Sequence, residues 1–209
     1  GDYLNVSYGD ALSKINNTFS VSAWIKVEGG STTNDKKIIN RDNEADSPRI
    51  LWTLQIEEND DALYPDKPAF QIYDGVTSSR VGGTTSVIDG AWYYIVGVRN
   101  GTDLVMYVNG IKEANVTDGG ATVVNENAPL WIGAGKNGGS VVYGFNGSID
   151  DVMVFNRALS ATEIQALYAN SSTKYFQENF TGLTEKTYNY TLYAQDQIGN
   201  ITSNQRFFT

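Results

Sequence analysis

Carboxylates are the groups in this chain of 209 residues that could do chemistry, because it has no histidine and no cysteine. That removes the imidazole general base, serine activation by histidine, zinc held by imidazole or thiolate, and any disulfide. A metal would have to be held by oxygen, which means calcium first. Asp42, Glu44 and Asp46 alternate with Asn43 among them, so an extended segment would put three carboxylates on one side, as a calcium-holding rim loop requires. The competing reading is a solvated loop, suggested by Asn40 and Ser47-Pro48. Glu57, Glu58, Asp60 and Asp61 crowd a second turn, where like charges repel unless solvated or metal-bound. Asp150 and Asp151 interrupt the apolar positions Ile149, Val152 and Val154, so each must find a partner or point outward.

Aromatic rings are the second resource. Trp24, Trp52, Trp92 and Trp131 all fall in strand-like patterns, where burial competes with stacking on a sugar ring. Tyr64, Tyr73 and Tyr143 lie beside predicted loops and are the better candidates for a ligand rim. Asn-X-Ser/Thr triplets occur at Asn5, Asn16, Asn100, Asn115, Asn146, Asn170, Asn179, Asn189 and Asn200, a pattern of exported surface proteins. The same residue types also cluster in turns for conformational reasons.

Charge excludes some partners. A net charge of -9 works against nucleic acid and anionic membrane surfaces, which need clustered Lys and Arg. No apolar run approaches the roughly 20 residues that span a bilayer. The glycines at Gly133, Gly135, Gly138 and Gly139 lack the spacing and following helix of a phosphate cradle.

The elements that must position these groups are mostly strands. Phe19, Val21, Ala23 and Ile25 alternate against Ser20, Ser22, Trp24 and Lys26, and Ile50, Trp52, Leu54 and Ile56 repeat the pattern. Arg99-Asn100-Gly101-Thr102 and Asn109-Gly110 are hairpin signals between further apolar segments. Short strands with a turn about every ten residues predict an all-β sandwich or jelly roll. One helix is expected: Ser160 and Glu163 form a capping box, and Ile164, Leu167 and Tyr168 follow on one face.

The segments TFSVSAWIK, DGAWYYIVGVRNGTDLVMYVNGIKEA, PLWIGAG and FNGSIDDVMVFNRALSATEIQALY, in that order, resemble the laminin-G-like jelly roll of the concanavalin A-like lectin and glucanase superfamily. The resemblance implies two antiparallel sheets face to face over residues 1–169, with a concave side and rim loops that bind glycan or protein. It places Trp24 and Trp92 at core tryptophan positions. It also places Asp150 where a carboxylate on the last strand holds a structural calcium, helped by a backbone carbonyl for which Thr18 is the nearest candidate; otherwise Asp150 caps a turn. In the related glucanases the catalytic carboxylates sit inside a strand, whereas Asp42, Glu44 and Asp46 have loop-like flanks. The family's aromatic-histidine pair is Tyr93-Tyr94 here, and its opening strand has no counterpart before Gly1.

Residues 170–209 form a different module, with candidate strands at 176–180, 187–194 and 205–208, and TGLTEKTYNYTLYAQDQIGNITSNQRFFT resembles the closing strands of an immunoglobulin-like or fibronectin-type-III-like domain. Incomplete ends imply either an excerpt of a longer chain or completion by strands of a neighbouring copy. The expected function is that of a non-catalytic extracellular or cell-surface adhesion module. It would bind glycan or a cell-surface protein, with calcium as structural ion. Two other functions stay open: a filament or surface-layer subunit built through open strand edges, and a polysaccharide-degrading enzyme, which the missing histidine disfavours.

Overall fold

The computed structural model describes residues 2–7, 9–30, 34–42, 51–121, 128–137, 140–172, 188–195 and 201–208. The chain divides into two compact units, Gly1–Lys174 and Tyr175–Thr209. In the first, β1 (Leu4–Val6), a single helical turn α1 (Asp10–Ser13), β2 (Thr18–Val27), β3 (Lys36–Asp42), β4 (Leu51–Ile56), β5 (Pro68–Tyr73) and β6 (Ser78–Gly82) lead into β7 (Trp92–Asn100). Then come β8 (Asp103–Val108), β9 (Ile111–Thr117), β10 (Leu130–Ile132), β11 (Gly135–Asn137), β12 (Ser140–Val142), β13 (Gly147–Phe155) and the helix α2 (Ala161–Ser172).

The strands make two main antiparallel sheets, as the alternation predicts. One is six-stranded in the order β1-β10-β3-β4-β5-β6, and the other five-stranded in the order β13-β2-β7-β8-β9. Period-two burial joins them. Phe19, Val21, Ala23 and Ile25 of β2, with Ile95, Leu104 and Met106, meet Ile39, Trp52, Leu54, Phe70 and Ile72 from the opposite sheet. Phe19 packs at 5.3 Å from Trp52 and edge-on at 5.7 Å from Phe70. Gly97 in the middle of β7 makes room for that contact, because a Cβ there would lie 2.6 Å from Phe70 Cγ.

Local chemistry fixes the hairpins. Asn109 and Gly110 both take positive φ, 49° and 78°, which is the turn that an Asn-Gly pair between twisted strands favours. The Asn109 carboxamide also accepts the Tyr94 N–H at 2.9 Å, which locks the hairpin to β7. At the β7–β8 turn, Asn100 Oδ1 accepts the backbone N–H groups of Thr102 and Asp103 at 3.0 and 2.8 Å.

The capping box forms as expected: Glu163 accepts the Ser160 N–H at 2.8 Å, and Ser160 Oγ accepts the Glu163 N–H at 3.3 Å. It starts α2, whose Ile164, Leu167 and Tyr168 cover Tyr94, Val96, Val98 and Trp24 on the outside of the five-stranded sheet. Trp24 Nε1 donates to Ser171 Oγ at 2.8 Å, and its ring stacks on Tyr168 at 5.7 Å. This corrects the tryptophan assignment. Trp52 lies in the core between the sheets, Trp24 belongs to the helix-covered layer, and Trp92, the first residue of β7, is 44% exposed.

In the second unit, β14 (Tyr188–Gln195) and β15 (Ile201–Phe208) pair as an antiparallel hairpin. The strand expected at 176–180 lies outside the described residues. Among those residues no helix is long and apolar enough to cross a membrane.

Candidate functional site

The solvent side of the six-stranded sheet carries the polar half of each alternating strand. Cross-strand register aligns that face in rows: Trp131, Asn40, Thr53, Gln71 and Arg80 in one, and Asp42, Tyr73 and Ser78 in the next. Asn40, Asp42, Thr53, Gln55 and Glu57 are nonetheless buried. Polar side chains on an outer sheet face become buried only if something lies over them.

The β11–β12 hairpin is part of that cover. Its base is bonded to the framework through Gly133 N–H to Ile38 O at 3.0 Å and Lys37 N–H to Tyr143 O at 3.1 Å. A Cβ on Gly135 would stand 3.0 Å from Asn40 Nδ2 and 3.3 Å from Lys37 Cγ, so the hairpin lies directly on β3. The result is a trough of about 320 Å3 lined by Asp35, Lys37, Asn40, Asp42, Gln71, Tyr73, Ser78, Lys136 and Tyr143. Lys136 and Tyr143 form one wall; Gln71, Tyr73 and Ser78 form the other.

A charge network braces the face. Lys37 lies 3.4 Å from Asp35 and donates to Gln55, and Gln55 Nε2 donates to Asp35 at 3.1 Å and to Glu57 at 2.9 Å. Arg80 bridges Glu57 and Asp61 at 3.0 and 2.9 Å and lies 5.4 Å from the Tyr64 ring centre. Burial, followed by the charge of Asp35, raises the Glu57 carboxyl to about 7; Arg80 and Gln55 pull the other way without overcoming it. Asp61 is held below its ordinary value against the upward push of its own desolvation, by the backbone N–H groups of Tyr64 and Leu63 and by Arg80. The acidic turn is thus not simply solvated: Glu57 and Asp61 share Arg80 as their partner.

Of the ring candidates, Tyr73 and Tyr143 line the trough, and Tyr64 packs on Gly82 and Arg80 outside it. Asp42 is corrected from a loop residue to the last residue of β3, buried and lining the trough; Glu44 and Asp46 lie outside the described residues. Asn40, read as a loop marker, is likewise inside β3. A register shift between Lys37 and Ile39 hides the alternation of Lys-Lys-Ile-Ile-Asn-Arg-Asp.

Thr18 and Asp150 do not meet. Thr18 pairs with Asn100 and Asp150 with Trp24, which leaves most of β2 between them, on the order of 20 Å at a strand rise of about 3.3 Å per residue. Asp150 is exposed and accepts the Asp151 N–H at 2.7 Å, beside a bulge where Asp151 has a φ of 46°. Asp150 thus bonds to the neighbouring backbone within β13. The calcium donor set expected from Thr18 and Asp150 does not fit, and among the described residues no three carboxylates converge to hold a cation. Sequon residues Asn5, Asn16, Asn100, Asn115, Asn146 and Asn170 are exposed. Asn189 lies in β14, and Asn179 and Asn200 fall outside the described residues.

Residues 1–165 match a laminin G family described as the concanavalin A-like lectin/glucanases superfamily. The chain belongs to that superfamily. Among solved structures, this concanavalin A-like fold is similar to the CBM40 of the Ruminococcus gnavus IT-sialidase bound to α2,3 sialyllactose. The TM-score is 0.63 at 14% identity, over 80% of this chain and 97% of that one. It is also similar to domain 4 of a GH43 extracellular arabinanase from Geobacillus stearothermophilus in complex with arabinotriose, with a TM-score of 0.54 and 18% identity over 74% of this chain and 68% of that one. A third is a structure of botulinum neurotoxin type C, whose cell entry depends on interaction with two ganglioside molecules; the TM-score is 0.60 at 14% identity, over 98% of this chain and 50% of that one. At these identities the likeness is one of fold. No curated protein sequence matches the chain. The immunoglobulin-like resemblance of the last segment gains no support from these matches.

Proposed function

We propose that this concanavalin A-like domain is a non-catalytic glycan-binding module that works outside the cell or at its surface, and that the trough holds the sugar. The trough carries the reading. It sets the amides of Asn40 and Gln71, each able to donate and accept toward a diol, between the rings of Tyr73 and Tyr143. A sugar ring needs that mixture: apolar faces for its C–H groups and directional polar groups for its hydroxyls. The glycan ligands named for two fold neighbours, sialyllactose and arabinotriose, support the class of ligand.

Turnover has little to work with in this trough. Two carboxylates line the trough, Asp35, which is tied to Lys37 and Gln55, and Asp42, which is buried at the end of β3; the carboxyl raised towards neutrality, Glu57, is buried and does not line the trough. A general acid must reach the bond that it cleaves. A glycan array, followed by calorimetry on the hits, tests the reading. Tyr73→Ala and Asn40→Ala abolish binding while the melting temperature of the variants confirms folding. Release of reducing ends from any bound polysaccharide would replace the module with an enzyme.

A further inference from the structure

The charges of the trough are not equivalent. Lys37 is committed to Asp35 and Gln55, and its ammonium lies 5.4 Å from the centre of the Tyr143 ring. Lys136 is different. Its ammonium sits 5.2 Å from the Trp131 ring centre, on the wall formed by the β11–β12 hairpin, and among the described residues it has no acidic partner. Trp131 is itself buried and packed against Tyr3 at 5.5 Å, so the indole fixes where the ammonium stands. A lysine laid on an indole face is partly stripped of water and gains most from an anion brought to it.

We infer that Lys136 receives the anionic substituent of an acidic sugar, a carboxylate or a sulfate, and that it selects acidic over neutral oligosaccharides at the trough. This rests on the trough being the glycan site. Asp42 gives the ligand a direction. Asp42 follows Arg41 in β3, whereas Trp131, under Lys136, pairs with Asn40, so a carboxylate stands at a different point of the trough from the ammonium. A ligand's acid group is drawn to the Lys136 wall and its hydroxyls to Asp42. The overall charge of -9 sets the scale: one anionic group can be accommodated against that background, whereas a dense polyanion is repelled.

The test is a glycan array carrying neutral, carboxylated and sulfated oligosaccharides, with calorimetry on uronate oligosaccharides and on the same oligosaccharides after reduction of the carboxyl to a hydroxymethyl group. Wild-type protein should favour acidic members, and Lys136→Gln should lose about tenfold in affinity for them, the scale of one charge-assisted hydrogen bond. The variant should lose less on the reduced sugars than on the acidic ones, and Lys136→Arg should keep the preference. Raising salt from about 0.05 M to about 0.5 M should weaken the acidic ligands alone. Equal binding of acidic and reduced sugars, or an unchanged Lys136→Gln, overturns the inference and leaves the trough as a neutral-sugar site. Affinity that climbs steadily with the number of sulfates overturns it as well. Absence of binding to every sugar overturns both this inference and the glycan reading.

Discussion

Lys37 is joined to Tyr143 twice, once through its backbone N–H to the Tyr143 carbonyl at 3.1 Å and once through its ammonium, 5.4 Å from the centre of the tyrosine ring. The hairpin wall is therefore tied to the sheet floor at the residue that lines the trough. Replacing Tyr143 by Ala removes an aromatic contact worth about 1 kcal/mol, an expected loss of about fivefold in glycan affinity by calorimetry. Tyr143→Phe keeps the ring and should bind as wild type; a large loss in that variant would mean that the hydroxyl, not the ring face, does the binding.

Glu57 makes stability depend on pH. Its folded carboxyl titrates near 7 against an ordinary 4.5 because it is buried and faces Asp35. The folded state thus keeps a proton that the unfolded chain has lost. Stability from this group is full below about 4.5 and declines as pH rises through about 7. Urea unfolding across that interval should show the decline, and Glu57→Gln should flatten it. An unchanged slope in the variant would assign the effect elsewhere.

Arg99 and Asp118 form a buried ion pair at 2.6 Å, with the guanidinium also donating to Ala121 O at 2.5 Å and Asn17 Oδ1 at 3.2 Å. Arg99→Ala leaves the buried Asp118 carboxylate accepting the Gly120 N–H at 3.0 Å but without its cation, and should cost about 3–5 kcal/mol in chemical unfolding. The double variant Arg99→Met with Asp118→Leu should recover much of that loss, since desolvation of the pair offsets much of its attraction.

The start of α2 should respond to acid. Arg157, then the Ser160 N–H and hydroxyl, hold Glu163 down to about 2. Its contribution is present above the ordinary value of 4.5 and is lost as pH falls from there through about 2. Ser160→Ala should cost about 1 kcal/mol. Because α2 covers Trp24, tryptophan fluorescence should report the loosening before far-ultraviolet circular dichroism does.

Gly97 tests how closely the sheets pack. Gly97→Ala pushes a methyl group against the Phe70 ring and should destabilise by about 1–3 kcal/mol. Adding Phe70→Leu should relieve part of the strain, giving a double variant more stable than the sum of the two single effects; simple additivity would show that the two positions do not communicate.

The strands and the helix are legible in the sequence because each has a local cause: alternation in β2, an Asn-Gly turn at Asn109, and a reciprocal cap at Ser160 and Glu163. β3 is not, because its register shift breaks the alternation and its polar residues read as a loop. Alternation also fails to say which outer positions are covered, so it cannot separate the exposed Trp92 from the buried Trp52. Tyr73, Tyr143 and Asp42 stand out by residue type and position in the chain, but their convergence does not. It depends on a sheet order that brings β3 beside β10 and on a hairpin from residues 135–142 laid against β3. Lys136 carries no signal in the sequence for the same reason: a lone lysine acquires meaning only above Trp131.

The β11–β12 hairpin is bonded to the six-stranded sheet at its two feet, through Gly133 and Tyr143, rests on the outer side of β3 at Gly135, and contributes its own side chains to the trough. Its length and sequence can therefore change without disturbing the apolar layer between the sheets. Such a segment is an exchangeable cassette: grafting a different hairpin between the same two anchors would retune ligand choice while the scaffold folds as before.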